Sequence, residues 1–139
     1  MIQRQQSLWL LLAATCSVLS FFFPFFGGAE QNATGTSGMM STLNAGSSFF
    51  LIILTGASVL LSLVTIFLYK DRKLQFRLAL TGLVISVLIV ILFFSEIKML
   101  PGVIALSSVF VFLVPDFYFL AIRGIRKDEK LIKSMDRLR

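Results

Sequence analysis

The sequence contains no histidine and a single cysteine, Cys16, and only 14% of its residues are charged. Without imidazole or a second thiol, a structural zinc site and an intramolecular disulfide are excluded. A membrane protease, thiol oxidoreductase or metal hydrolase has no constellation to work with, since Cys16 lies inside an apolar run and no convergent acidic pair is evident. The chain therefore reads as a non-enzymatic protein without cofactor or metal, and Cys16 as a small packing residue. Soluble domains carry about 25% charged residues. The shortage of charge excludes a water-soluble globular domain, and 139 residues leave room for one domain only.

What the sequence does have is apolar length: 57% of its residues are hydrophobic, 15 are phenylalanine, and the mean hydropathy is +0.90. A bilayer core is crossed by roughly 20 apolar residues in a helix, which satisfies every backbone amide within the segment. Four segments qualify, at about 7–26, 49–69, 78–95 and 103–122. The expected fold class is all-α: an integral membrane four-helix bundle in one domain over 1–139, ending in a short amphipathic helix. The stretch Gly27 to Ser48, rich in Gly, Ser, Thr and Asn, reads as a flexible loop of turns and coil. The first span also meets the minimal pattern of a cleaved signal peptide, but its uncharged run exceeds the usual length of about 7–15 residues, which favours a retained helix.

Charge placement gives the orientation, because basic residues accumulate on the cytoplasmic side. All 13 basic residues except Lys98 fall on one side: Arg4 before the first span, Lys70, Arg72, Lys73 and Arg77 between the second and third, and the rest after the fourth. Both termini are expected in the cytoplasm, with loop 27–48 outside and a basic tail at 123–139. Small residues mark packing faces. Thr55, Ser58, Ser62 and Thr65 share one stripe of the second span; Ala13, Ser17 and Ser20 mark the first, Gly82 and Ser86 the third. Phe21, Phe22, Phe23, Phe25 and Phe26 around Pro24 read as aromatic anchors near the outer interface.

Asp116 is the one ionisable residue well inside a span, and such residues are costly and often functional. It follows Pro115, and Arg123 lies seven positions later on nearly the same face. A buried polar lock between Asp116 and Arg123 is the preferred account; proton or cation relay through Asp116 is the alternative, with a protonated, hydrogen-bonded acid as a third. After Ile122 the chain reads RGIRKDEKLIKSMDRLR. Gly124 offers a break, after which Ile125, Ile132 and Met135, flanked by Leu131 and Leu138, form the apolar side of a short basic helix. Its contacts are read three ways: anionic lipid, a protein partner in a membrane complex, or ribosomal or other RNA. The candidate contact residues are Arg4, Arg72, Lys73, Arg77, Arg126, Lys127, Lys130, Lys133, Arg137 and Arg139.

The start MIQRQQSLWLLLAA, the central YKDRKLQFRL and the end RGIRKDEKLIKSMDRLR, in this order between apolar spans, resemble the Bacteroidota domain-of-unknown-function family 4293. The most specific part is Lys127-Asp128-Glu129, Leu131, Lys133-Ser134 and Asp136 to Arg139. The resemblance covers essentially the whole chain. It implies a small bacterial inner-membrane protein with four helices, for which the outward loop 27–48 is periplasmic, supports retaining the first helix, and supplies no activity. The leading functional expectation is an accessory or adaptor subunit that binds a larger membrane complex through its basic cytoplasmic face. A small transporter or channel using Asp116 is the alternative.

Overall fold

Each apolar run meets its own backbone hydrogen-bonding needs by coiling into a helix. The computed structural model describes residues 3–31, 37–68, 71–98 and 103–136. Helix α1 spans Gln3–Phe22, α2 Phe49–Phe67, α3 Arg72–Ile97 and α4 Val109–Asp136. Each contains a stretch long and apolar enough to cross a membrane, so the chain is a multi-pass membrane protein with a four-helix architecture. Consecutive helices are neighbours, and α4 closes the ring by packing on α1. The first basic cluster, Arg72 to Arg77, is the opening of α3 and not a loop.

The hydroxyl stripe of α2 faces inward: Thr55, Ser58, Ser62 and Thr65 are all buried, as are Ala13, Ser17, Ser20 and Ser86. Most of these hydroxyls donate back to their own helix. Ser17 bonds the Ala13 carbonyl at 2.9 Å, Ser20 the Ser17 carbonyl at 2.7 Å, Thr65 the Leu61 carbonyl at 2.5 Å and Ser86 the Leu83 carbonyl at 2.7 Å. A small side chain that satisfies itself this way lets two helices approach without leaving a bare polar atom. At mid-bundle Tyr118 crosses the interior from α4. Its hydroxyl donates to the Ser58 carbonyl on α2 at 2.8 Å, and its ring lies over Gly82 on α3. A Cβ at Gly82 would come within 2.4 Å of that ring, so only glycine fits there.

The segment expected as coil is instead a hairpin. Strand β1 (Phe26–Gln31) pairs antiparallel with β2 (Ser37–Leu43) from Phe26↔Leu43 to Ala29↔Met40, with a register irregularity before Gln31↔Ser37. A two-residue strand β3 (Val103–Ile104) pairs with the other edge of β1, giving the order β2-β1-β3. A Gly- and Ser-rich segment resists helix, yet its amides still need partners, and strand pairing supplies them. Residues 103–108, counted above with the fourth span, form β3 and a short 3-10 turn before α4 begins.

The phenylalanines around Pro24 divide. Phe22 and Phe23 are exposed, but Phe25 and Phe26 are each 1% exposed and turn into the bundle. Phe25 stacks on Phe93 of α3 with ring centroids 4.3 Å apart and touches Phe94 edge-on at 6.5 Å. Together with Ala45, Leu51, Ile89 and Val111 they seal the sheet end of the bundle. The anchor reading fails for these two because the helix stops at Phe22 and the chain folds back over its own end.

Candidate functional site

The other end gathers the start of α1, the end of α2, the start of α3, and the far half of α4. Here α4 departs from expectation: it does not break at Gly124 but runs unbroken from Val109 to Asp136. The reason is an uninterrupted inward stripe, Val111, Val114, Tyr118, Ala121, Ile125 and Asp128, spaced three and four residues apart and buried throughout. Gly124 serves the packing of α1. A Cβ there would stand 3.0 Å from Cγ of Gln6, so its absence lets α1 come close.

That approach brings Gln6 and Asp128 together. They are 5% and 6% exposed, and Gln6 Nε2 donates a hydrogen bond to Asp128 Oδ2. The second carboxylate oxygen, Oδ1, is buried without a partner among the described residues. On the α2–α3 side, buried Gln75 donates to the Thr65 carbonyl at 3.3 Å. The Arg126 guanidinium lies over the Phe76 ring at 5.0 Å, a cation–π contact that fixes α4 against the start of α3. Arg72 is half-buried, and its Nη1 is buried without a partner among the described residues. Arg72 and Lys73 lie near enough to Glu129 to act on its charge, and Glu129 itself pairs with Lys133 at 2.9 Å.

The expected contact residues divide by what surrounds them. Lys73, Arg77, Arg126, Lys127, Lys130 and Lys133 are exposed around this end. Arg4 is in the first turn of α1, but its side chain lies outside the described residues, as do Arg137 and Arg139. Beyond Asp128 nothing described covers α4: residues 130–134 are all exposed, with Leu131 and Ile132 at 42% and 40%. The helix is 28 residues long, about 42 Å at 1.5 Å per residue, against a hydrocarbon core of about 30 Å.

The lock between Asp116 and Arg123 is not formed. Both side chains are exposed, and among the described residues the one ion pair is Glu129–Lys133. Helical phase explains it: Asp116 lies two positions from both Val114 and Tyr118, about 200° from the inward stripe. Arg123 stands in the same relation to Ala121 and Ile125. The buried polar contact is made instead by Gln6 and Asp128, which reading by depth passed over. The signal for Asp128 was present in its three-and-four spacing from Ile125 and Ala121. Gln6 carried no such signal, because its role depends on where Gly124 lies.

Among the described residues no group of three or more Cys, Asp or Glu is placed to hold a metal ion. The arrangement offers a cationic, partly amphipathic surface supported by the buried Gln6–Asp128 clasp. No curated protein and no solved structure matches the chain. A family model, described as a domain of unknown function (DUF4293), matches residues 2–138, and the chain belongs to that family.

Proposed function

We propose that this protein is a non-enzymatic accessory or adaptor subunit of the bacterial inner membrane, with the clasped basic end in the cytoplasm and docked to a larger membrane complex. The observation that carries the reading is the free part of α4. After Asp128 it continues for about 12 Å at 1.5 Å per residue, presenting Leu131 and Ile132 between Lys127, Lys130 and Lys133. Rigid support beneath an exposed amphipathic turn suits a helix that lies in a partner's groove. Glu129, paired with Lys133 among these cations, favours a defined protein surface over a purely electrostatic one.

Relay through Asp116 gains no support from its place on the outer face of α4, since a conduction site needs its carboxylate toward the interior. The test is cross-linking and affinity purification from native membranes, comparing the full chain with one truncated after Glu129, which keeps the Gln6–Asp128 clasp. Partners retained by the full chain and lost on truncation support docking. Equal capture by both removes it, and loss of binding to anionic vesicles alone assigns the extension to lipid.

A further inference from the structure

Asp116 points outward from a helix that crosses the membrane, and that placement is costly. It lies within the apolar stretch of α4, its side chain is exposed, and it has no hydrogen bond or ion pair among the described residues. Val109 at the start of α4 lies seven positions before it and Arg123, the next basic residue, seven after, about 10 Å of helix each way at 1.5 Å per residue. Lysine and arginine can snorkel to a surface over such distances, but an aspartate side chain is too short. Ionisable groups inside spans almost always face the bundle interior or a watery path and pair with another group. Asp116 does neither within the described chain. Pro115 adds to the deficit, since it has no amide hydrogen for the Val111 carbonyl and leaves this turn of α4 one donor short.

The face around Asp116 has the pattern of a helix seam. Val109, Phe112, Asp116, Phe119 and Arg123 follow one another at spacings of three, four, three and four residues, and all are exposed, Phe119 at 58%. Residues so spaced form one stripe, the geometry by which a helix lies along another. The inward stripe of α4 has the same spacing and packs on α1 and α3. The outward stripe is covered by nothing described.

Charge decides what fits there. Lipid tails offer a carboxylate no donor. A second copy in the same orientation would set Asp116 against Asp116 and Arg123 against Arg123, like charges opposed at both levels. A helix of another protein with a lysine or arginine at the depth of Asp116 brings both the opposite charge and the missing donors. We infer that the outward face of α4 binds such a transmembrane helix, its cation paired with Asp116 inside the bilayer. This contact does not rest on docking by the α4 extension, which involves the far end of the helix. The fold of the chain alone does not need it, because Asp116 holds nothing within the bundle.

The experiment places the full chain in phosphatidylcholine vesicles with a synthetic transmembrane helix of leucines, flanked by tryptophan and carrying one central lysine, and reads association by energy transfer between labels. Association should be about tenfold tighter than with the same peptide carrying leucine at its centre, the scale of one strong polar contact between membrane helices. Asp116→Asn and Asp116→Leu should lower it to the level of the leucine peptide. Truncation after Glu129 should leave it intact, so this contact and docking by the extension fail separately. Equal association of the two peptides overturns the inference, as does a lysine preference that survives Asp116→Asn. Energy transfer between two labelled copies of the chain, lost in Asp116→Asn, also overturns it by giving the face to a second copy. If the variants do not fold, the two peptides against the unaltered chain decide the matter.

Discussion

At the sheet end, Phe25 and Phe26 turn inward, Phe25 stacks on Phe93, and strand pairing ties the α1–α2 and α3–α4 connections together. At the terminal end, the interior is closed by an amide and a carboxylate, Gln6 and Asp128, under a shell of Arg and Lys. Apolar stacking is non-directional and complete within the chain. The polar clasp depends on two particular atoms and leaves Asp128 Oδ1 without a partner among the described residues, as Arg72 Nη1 is at the same end. The difference assigns stability mainly to one end and spare bonding capacity to the other.

That division is most severely tested at Phe25. Phe25→Ala is expected to cost about 3–5 kcal/mol, the usual range for removing a buried aromatic ring. Hydrogen exchange should then rise at the strands and the adjoining ends of α1 and α3, while the amides around Gln6 and Asp128 keep their protection. Equal loss at both ends would show that the bundle melts as one unit and that the comparison has no energetic meaning. Gly82→Ala addresses the boundary between the ends. Its new methyl displaces the Tyr118 ring and the bond to Ser58, at about 1–3 kcal/mol in thermal or denaturant unfolding. Combining it with Tyr118→Ala should give less than the sum of the two losses, because both act on one contact.

Asp128→Ala leaves the buried Gln6 amide unpaired and should cost about 1–2 kcal/mol, toward the lower side of the range for an unsatisfied group. Adding Gln6→Leu should recover most of that loss, since replacing both partners by apolar groups is close to neutral. A clasp needed for more than pairing would not be rescued. The smallest effect is expected at Asp116. Asp116→Asn should shift unfolding by no more than about 0.5 kcal/mol, as surface substitutions do, or raise stability slightly by removing an outward charge. A large loss would restore the carboxylate to the interior and contradict its exposed placement.

The four helices are legible in the sequence because a bilayer demands long apolar runs, and the inward hydroxyls of α2 because small residues recur every three or four positions. The hairpin is not, since Gly27 to Ser48 has the composition of a loop and strand pairing there depends on Val103 and Ile104, far away in the chain. Gly124 is ambiguous by nature: the missing Cβ that permits a break also permits contact, and only the arrival of Gln6 decides between them. The basic surface is readable as composition and position. Its polar support is not, because depth along a span drew attention to Asp116, whereas rotation about the helix axis determines which acid is buried.

Closure of the ring by α1 and α4 has a consequence for synthesis. Gln6, Ala13 and Cys16 emerge first but pack against residues of the last helix. Until Tyr118, Gly124 and Asp128 have been made, α1 presents its amide and its small-residue face to lipid. The bundle's assembly is thus tied to the completion of α4. A nascent chain stalled before that point leaves the Gln6 amide and this small-residue face uncovered.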